Sequence, residues 1–374
     1  MEAFKAGTYI NQGFYKSFQP ELINRIWKVE DMEVLQLLGQ ADRLIGGLNA
    51  YAKRLPDLRL YLGMHILKES TQSAKIEGTQ TNIQEALLEK ENVEADEVPD
   101  WTEVNNYSRA MNWAIAELDK LPISSRLIRE AHKILLEGAR GKNKQPGDFR
   151  KSQNWIGGAT ISDARFIPPV HTSIDALMSD LEKFIHNDEN PFPPLLKIAI
   201  IHYQFETIHP FLDGNGRVGR LLIPLYLVEQ NILESPILYL SDFLEKNKTL
   251  YYENLTRVRE ANDITHWFKF FLVGIIETAK EGLDTLDHII RLTAEIDLSI
   301  QSLGSKAENA RKVMAYLYEK PLINAKKVAD ITNTTPATTY KLISDLERLN
   351  ILNEITGGKR RREYIFGRYL DFFR

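Results

Sequence analysis

Residues 195–208 form a stretch that would be apolar on nearly every side of a helix. Its apolar side chains include Leu195, Leu196, Ile198, Ala199, Ile200, Ile201, Tyr203 and Phe205. A helix that is apolar all round has to be buried, so this one is expected at the centre of the fold. A second helix follows after a polar, glycine-rich loop. Its apolar face has the spacing i, i+3, i+4 and i+7 and consists of Val218, Leu221, Leu222 and Leu225.

The loop between these two helices contains residue types that bind polyphosphate. Gly214, Asn215 and Gly216 adopt positive φ at little cost, which lets successive backbone N–H groups face one point. The helix expected to begin near Arg217 adds free N–H groups and the positive end of its dipole. Arg217 and Arg220 are three residues apart and away from the apolar face, so both guanidinium groups point the same way. The loop therefore predicts a polyphosphate site.

Three further residues complete the predicted site. Asp213 is a natural oxygen ligand for a Mg²⁺ ion that keeps most of its waters, and Phe211 is an apolar anchor for the loop. His209, with an ordinary pKa of about 6.5, suits a general base near neutral pH. Taken alone, a loop histidine is more often structural and Gly-Asn-Gly is usually a turn. Their convergence within twelve residues between two buried helices favours phosphoryl-type chemistry.

A known family signature matches the run His209-Pro210-Phe211-Leu212-Asp213-Gly214-Asn215-Gly216-Arg217-Val218-Gly219-Arg220. The run resembles His-Pro-Phe-x-(Asp/Asn)-Gly-Asn-Gly-Arg-x-x-Arg of the Fic (filamentation induced by cAMP) family at every specified position. The resemblance implies that His209 deprotonates a hydroxyl of a target protein and that Asp213 holds Mg²⁺. The hydroxyl would attack the α-phosphate of ATP, with pyrophosphate leaving. The residues implied in ATP binding here are Gly214, Asn215, Gly216, Arg217, Val218, Gly219 and Arg220.

Two other parts of the chain extend this resemblance. Residues 146–150 and 155–158 look like the run that leads into the family's flap, a hairpin that clamps the side chain to be modified. The pattern of residues 155–170 predicts a short β-hairpin whose exposed edge could hold an extended segment; an ordinary surface hairpin is the alternative. Tyr251 and Tyr252 resemble the family's adenine-side residues and are added to the predicted ATP site, although aromatic pairs on helices more often belong to a core.

A second motif lies upstream, at Ser73-Ala74-Lys75-Ile76-Glu77-Gly78. Ser73 and Glu77 share one face of a helix, and Gly78 is a natural helix end. Alone, this pattern arises readily by chance, and a solvated helix end is the alternative. Beside the Fic signature it resembles the family's inhibitory helix, in the class that carries this helix N-terminal to the signature. The resemblance implies that Glu77 pairs with Arg220 and blocks the seat of the γ-phosphate.

The last part of the chain differs from the rest in charge. Residues 306–374 contain 14 Lys and Arg against 8 Asp and Glu. Since the whole chain has a net charge of −4, the remainder carries −10. An acidic body followed by a basic segment indicates different partners at the two ends.

The basic segment has the pattern of a winged helix-turn-helix. Helical patterns at 310–319, 325–332 and 338–349 are followed by predicted strands at 351–355 and 362–366. The recognition helix would begin with Thr338, Thr339 and Lys341, and the wing tip would contain Lys359, Arg360, Arg361 and Arg362. Such basic residues can lie on phosphates, which makes DNA a candidate partner. The other interpretation is that the segment serves dimerisation or protein contact.

These patterns predict a mainly α protein with a C-terminal winged helix-turn-helix domain, and the resemblance implies that its helical body is a Fic-type domain with a small β-hairpin flap. The expected division is 1–110 for an N-terminal helical region with the inhibitory helix, 111–300 for the catalytic domain and 306–374 for the C-terminal domain. Residues up to about 14 look irregular. A chain of 374 residues is long enough for two or three domains.

Composition excludes several kinds of site and partner. The chain has no cysteine, which excludes disulfides, thiol catalysis and cysteine zinc sites and is compatible with a reducing cytosol. No basic run followed by an apolar run lies after Met1, and every long apolar stretch is too short for a membrane span. We therefore expect a cytoplasmic protein without a membrane partner. Homodimers are common among similar proteins, which leaves a homodimer open.

Three functions fit these observations. The first is an autoinhibited adenylyltransferase that moves AMP from ATP, with Mg²⁺, to Ser, Thr or Tyr of a target protein and to itself. The second is the reverse reaction at the same site, the removal of AMP, with Glu77 positioning a water molecule. The third is a DNA-binding regulator that senses nucleotide. An intact His209 argues against a purely sensing role, because nucleotide binding alone does not require it.

Overall fold

The protein is described here as a computed structural model covering residues 4–55, 57–138, 140–189, 191–357 and 362–374. Its described part is mainly helical, as the sequence predicts. The body contains strands β1 (Gly7–Asn11) and β2 (Lys16–Pro20) and helices α1 (Met32–Ala52), α2 (Arg59–Ile76), α3 (Ile83–Ala86), α4 (Val98–Glu117), α5 (Ser125–Leu135), α6 (Ile174–Ile185), α7 (Pro194–Ile208), α8 (Asn215–Glu229), α9 (Ser241–Lys246), α10 (Lys248–Ala261) and α11 (Ile264–Gln301). Within the described residues, no helix combines the length and hydropathy needed to cross a bilayer.

The centre of the fold is α7. All of residues 195–208 are buried, including its few polar side chains, which confirms the expectation from its apolar surface. Helices α6, α8 and α11 pack around it. The next helix, α8, begins at Asn215 rather than near Arg217, so its first turn contains part of the glycine-rich loop. The functional loop is therefore held between two helices of the core.

The N-terminal segment is the first difference from expectation. Residues up to about 14 look irregular in the sequence, but β1 and β2 form an antiparallel hairpin in which Gly7 pairs with Pro20. Phe18 on β2 is fully buried, and its N–H donates to the carbonyl oxygen of Ile167 at 2.9 Å. The pattern is hard to see in the sequence because both strands are short and β1 is exposed along nearly its whole length, so it has no apolar alternation.

Residues 155–170, the predicted flap, contain less strand than expected. The two sides of the loop meet at a single antiparallel bridge between Ile156 and Phe166. Gly157 and Gly158 both have positive φ, and a short 3₁₀ turn, Ile161–Asp163, closes the loop. The guanidinium of Arg259 lies 3.7 Å from the centre of the Phe166 ring, which fixes the buried side of the loop to α10. The flap is a hairpin-like loop, not a pair of regular strands.

The C-terminal segment contains three longer helices, a small sheet and a terminal helical turn. Its elements are α12 (Ala307–Glu319), β3 (Leu322–Asn324), α13 (Ala325–Thr332), α14 (Pro336–Arg348), β4 (Asn353–Glu354), β5 (Glu363–Ile365) and α15 (Gly367–Leu370). The strands form one antiparallel sheet in the order β3-β5-β4, and β3 is a strand that the sequence pattern did not indicate.

Two details of this segment bear on the predicted DNA contacts. Thr339, on α14, is buried and contacts Thr334 in the turn before that helix through their hydroxyl groups, so it does not belong to an exposed recognition surface. Thr338 and Lys341 are exposed. Of the predicted wing tip, Lys359, Arg360 and Arg361 lie outside the described residues, and only Arg362 is described.

Candidate active site

The loop between α7 and α8 is shaped by two residues with positive φ. His209 ends α7 with φ 51°, and Gly214 precedes α8 with φ 76°. The predicted positive φ at Asn215 and Gly216 is wrong, because both lie in the first turn of α8. Asn215 instead holds the loop: its amide oxygen accepts from the Phe211 N–H and its amide nitrogen donates to the Phe211 carbonyl, both at 2.8 Å.

The first turn of α8 leaves N–H groups available to an anion. Val218 is bonded within the helix, its N–H donating to the Gly214 carbonyl, and its side chain is buried. The N–H groups of residues 215–217 precede that bond and have no partner one turn back in the helix. A helix start of this kind, with the positive end of the helix dipole, attracts negative charge.

A histidine that sequence analysis did not single out packs against the loop between α7 and α8 and supports it. His132 on α5 stacks on Phe211 with ring centres 3.7 Å apart. Its Nδ1 accepts from the Gly147 N–H at 2.9 Å, so its Nε2 carries the proton and donates to the Asp213 carbonyl at 3.0 Å. Burial lowers the pKa of His132 to about 4. The ring is therefore neutral at pH 7, as this pair of bonds requires.

His209 itself is half-buried at the end of α7. Its carbonyl accepts from Arg150 Nε at 3.0 Å, and Arg150 also donates to the Pro169 carbonyl at 2.6 Å, which links the loop to the flap. Burial, with the positive charge of Arg150, lowers the pKa of His209 to about 4. At neutral pH the imidazole is uncharged and able to accept a proton.

The predicted pair of Glu77 and Arg220 is present. Arg220 Nη2 donates to Glu77 Oε1 at 2.6 Å and to the Ser73 carbonyl at 2.9 Å, while its Nε donates to Ser73 Oγ at 2.8 Å. The Arg220 side chain is 2% exposed, against 37% for Glu77. Burial, the largest single influence, would raise the pKa of Glu77, but the charge and hydrogen bond of Arg220 together with the neighbouring Arg217 and His209 outweigh it, and the pKa is lowered. Glu77 is thus a carboxylate at neutral pH.

The Glu77 carboxylate lies directly over the first turn of α8. A Cβ atom added to Gly216 would be 2.4 Å from Glu77 Oε1 and 2.9 Å from Arg220 Nη1. Only glycine allows this approach at position 216. The negatively charged carboxylate of Glu77 therefore occupies the space beside the first turn of α8, where an anionic ligand would meet the backbone N–H groups. Gly78, with φ 105°, ends the helical segment directly after Glu77.

Arg217 lies deeper in the same site. Its side chain is 5% exposed, and the guanidinium contacts two carboxylates, with Nη1 3.5 Å from Glu103 Oε2 and Nη2 3.7 Å from Asp213 Oδ1. Within the described residues its Nε and Nη1 make no hydrogen bond. Buried donors of this kind are uncommon without a partner, and they fit an anionic ligand.

Asp213 has the properties of a Mg²⁺ ligand. Its side chain is 42% exposed, and its Oδ1 accepts from the Gly214 N–H at 2.7 Å. In the described part of the chain no three His, Asp or Glu residues are grouped so as to hold a metal ion. A single carboxylate suits Mg²⁺ that takes its other ligands from phosphate and water. The residues present therefore fit a metal ion bound together with a polyphosphate.

Two sequence models match this chain. One, described as the Fic/DOC family, matches residues 122–227, and the other, the Fic/DOC family N-terminal region, matches residues 35–116. The chain belongs to the Fic/DOC family. The first match contains His209 and Arg220, and the second contains Ser73 and Glu77, so the two halves of the site come from the two matched regions.

Relatives and solved structures agree with this assignment. Proteins named protein adenylyltransferase Fic are 27% identical over 180 residues in Drosophila grimshawi and 26% identical over 227 residues in Drosophila melanogaster. These matches cover 48% and 60% of this chain but only 34% and 42% of the relatives, so the chain spans well under half the length of those proteins. A Fic family protein from Desulfovibrio desulfuricans G20 has the same fold, with a TM-score of 0.60 and 19% identity over 91% of this chain and 98% of that one. Fic-1 from C. elegans has a TM-score of 0.51 and 18% sequence identity to this chain, and the match covers 70% of this chain and 73% of that one.

The two tyrosines predicted on the adenine side of the Fic site differ in exposure. Tyr251 is 1% exposed, and its hydroxyl bonds to His202 Nε2 at 2.8 Å within the core. Tyr252 is 40% exposed and lies in a groove of about 760 Å³ with Arg165 of the flap and Lys248. In this structure only Tyr252 offers ring surface to a ligand, so the prediction for adenine depends on it.

Other residues at the Fic site carry no motif that sequence analysis could use. Glu206 on α7 lies against Gly219, where an added Cβ would be 2.2 Å from Glu206 Oε1, and burial raises the pKa of Glu206 to about 7. This contact explains a glycine at 219, a variable position of the signature. Lys248 donates to the Ile76 carbonyl at the end of α2 at 2.5 Å. Such contacts are set by tertiary packing and leave no local pattern.

Proposed function

We propose that this protein is an autoinhibited protein adenylyltransferase that transfers AMP from ATP to a Ser, Thr or Tyr hydroxyl of a target protein and to itself. The observation that supports it most is the Glu77 carboxylate, which lies against Arg220 and Gly216 at an anion-binding helix start. The relatives named adenylyltransferase support the reaction class.

The reaction uses few protein groups. The neutral imidazole of His209 takes the proton of the target hydroxyl, whose oxygen attacks the α-phosphorus of ATP. The bond between the α-phosphorus and the bridging oxygen to the β-phosphate breaks, and pyrophosphate leaves. Arg217, Arg220 and the N–H groups of residues 215–217 hold the phosphates. Mg²⁺, held by Asp213, neutralises phosphate charge when bound.

Inhibition follows from charge and space. While Glu77 pairs with Arg220, the arginine is satisfied and the carboxylate repels a phosphate at the same position. ATP then binds without the γ-phosphate in its productive seat, and its α-phosphate is turned away from the attacking hydroxyl. Ser73 holds Arg220 in the orientation that favours the pair, since it accepts two of the hydrogen bonds of that guanidinium.

Removal of AMP at the same site is the second candidate. The Glu77 side chain is 37% exposed although its Oε1 is bonded to Arg220, and its other oxygen, which has no hydrogen bond to the described residues, would orient a water molecule. The two reactions make opposite demands on Glu77, because removal requires it and transfer is restrained by it. A DNA-binding regulator remains a prediction from the basic C-terminal segment.

The test compares the parent, Glu77→Gly and Glu77→Gly/His209→Ala, each incubated with Mg²⁺ and α-labelled ATP. We expect self-labelling to rise on the order of tenfold or more in the single variant, as a shift of about 1.4 kcal/mol between inhibited and active forms produces. The label should vanish in the double variant. Gln80→Gly is the matched control, because it adds a glycine just beyond the same helix end and leaves the ion pair intact.

Each outcome decides between the candidates. Equal labelling of parent and Glu77→Gly would exclude inhibition by Glu77, and labelling that survives His209→Ala would exclude His209 as the base. If no variant is labelled, an AMP-modified protein substrate is added and release of AMP is measured. Release by the parent that is lost in Glu77→Gly would support AMP removal instead.

A further inference from the structure

A buried carboxylate outside both motifs contacts the phosphate-binding arginine. Glu103 lies on α4 and its side chain is 11% exposed. Its Oε2 is 3.5 Å from Arg217 Nη1, across 114 positions of sequence. Neither the Fic signature nor the inhibitory motif includes it, and nothing in its sequence neighbourhood marks it.

Arg217 is held between Glu103 and Asp213 at nearly equal distances. Glu103 is 3.5 Å from one terminal nitrogen of the guanidinium, and Asp213 is 3.7 Å from the other. Neither contact is short enough for a strong charge-assisted hydrogen bond. The guanidinium therefore lies between the two carboxylates, and its Nε and Nη1 make no hydrogen bond to any described residue.

The orientation of Glu103 is itself supported. Thr79 Oγ1 donates to Glu103 Oε2 at 3.2 Å, and Thr79 is 4% exposed. Thr79 follows Gly78 directly, so the end of the inhibitory segment also fixes this carboxylate. The same Oε2 atom thus faces both the threonine hydroxyl and the arginine.

We propose that Glu103 is a positioning residue that keeps Arg217 away from Asp213 and so leaves Asp213 able to bind Mg²⁺. A buried arginine that loses one of two carboxylates moves toward the other, because an unpaired buried charge is costly. Without Glu103, Arg217 pairs with Asp213, and Mg²⁺ has to displace it. This inference rests on the proposed function, in which Asp213 is the Mg²⁺ ligand and Arg217 holds phosphate.

The test uses the full chain with Glu77→Gly as the background and adds Glu103→Gln. We expect the Mg²⁺ concentration for half-maximal labelling to rise several-fold, while the maximal rate at saturating Mg²⁺ changes by less than about threefold. Glu117→Gln is the matched control, since Glu117 is on the same helix and pairs with Lys120 at the surface. It should leave the Mg²⁺ dependence unchanged.

A binding measurement keeps the test independent of transfer. Mn²⁺ binding in the presence of a non-hydrolysable ATP analogue is followed by electron paramagnetic resonance, and Glu103→Gln should weaken it by a similar factor. If Glu77→Gly is not labelled at all, the proposed transfer reaction fails, yet this measurement still decides the role of Glu103. Unchanged Mn²⁺ binding, or a lower maximal rate with unchanged Mg²⁺ dependence, would overturn the inference.

A second variant covers the case in which Glu103→Gln does not fold. Thr79→Val keeps the carboxylate and removes the hydroxyl that orients it. We expect it to raise the half-saturating Mg²⁺ concentration in the same direction by a smaller factor. No change in a folded Thr79→Val protein would exclude the proposed support from Thr79, and with it this account of how Glu103 is placed.

Discussion

At the scale of single residues, the site is governed by how two buried arginines are paired. Arg220 is almost fully buried and has three acceptors on α2 and the residue that follows it: Glu77 Oε1, Ser73 Oγ and the Ser73 carbonyl. Arg217 is nearly as buried, but its charged partners among the described residues are two carboxylates at 3.5 and 3.7 Å. One arginine is therefore satisfied by the protein and the other is left available to a ligand. In the proposed reaction, Arg220 has to exchange its protein partner for phosphate.

His209 provides a prediction at the same scale. Burial, with Arg150, lowers its pKa to about 4, so the base form persists well below neutral pH. The negative charge of Glu77 raises the pKa of His209, so its loss in Glu77→Gly should lower that pKa further. We expect the labelling rate of that variant to show no loss from His209 protonation between about pH 8 and pH 6, with the acid limb near pH 4. A rate profile with an acid midpoint near 6.5 would contradict the lowered pKa.

At the scale of elements, α2 connects the site to the C-terminal segment. Its last turn carries Ser73, with Glu77 just beyond it, while its first half packs against α12 and the chain end. Tyr61 lies 5.0 Å from Tyr318, and His65 lies 5.0 Å from Phe373, measured between ring centres. Helix α2, which would inhibit the site, is thus packed against the C-terminal segment of the chain.

Glycine substitutions test how tightly α2 packs against α12. A Cβ at Gly63 on α2 would be 2.9 Å from the backbone oxygen of Glu319, so we expect Gly63→Ala to lower the free energy of unfolding by about 1–3 kcal/mol. Gly46→Ala on α1 is the matched control. No atom of the structurally described residues lies within 4 Å of its added Cβ, so helix propensity should stabilise this variant by up to about 1 kcal/mol. The measurement is denaturant unfolding, and equal stability of the two variants would show that the α2–α12 contact is loose.

At the scale of the whole molecule, buried neutral histidines join separate parts of the chain. His65 on α2 packs against Phe373 near the C-terminus, His132 on α5 supports the site loop, and His202 bonds α7 to Tyr251 and to the Gly219 carbonyl. Burial lowers the pKa of each to about 4. The unfolded chain binds these protons near pH 6.5, so each histidine makes the folded state less stable as pH falls from about 6.5 to 4.

A single substitution isolates the contribution of one histidine to the pH dependence of stability. Other groups oppose it: the pKa of Glu206 is raised to about 7, so Glu206 makes the folded state more stable as pH falls. His65→Phe removes a titrating group whose Nε2 has no hydrogen-bond partner among the described residues. We expect the parent to lose stability relative to this variant as pH falls from about 6.5 to 4. Thermal unfolding at a series of pH values measures the difference, and a difference independent of pH would contradict the lowered pKa of His65.

Much of the site could be predicted because its main parts are local. The signature from His209 to Arg220 is continuous, and Ser73 and Glu77 are four residues apart on one helix. The contact between Glu77 and Arg220, 143 positions apart, was predicted only through the family resemblance. The sequence missed β3 and the hairpin of β1 and β2, because short strands leave little periodicity and depend on their partners.

The central helix, the loop that follows it and the residue types able to bind polyphosphate follow from local sequence alone, since helical periodicity and turn chemistry are properties of neighbouring residues. Which of those residues are available to a ligand depends on the folded chain. The tertiary structure placed Tyr251 in the core, gave Asn215 the role of holding the loop and set Glu103 beside Arg217. Burial and pairing depend on residues distant in the chain. Burial and pairing also decide whether a charged side chain is already satisfied by the protein or is available to a ligand.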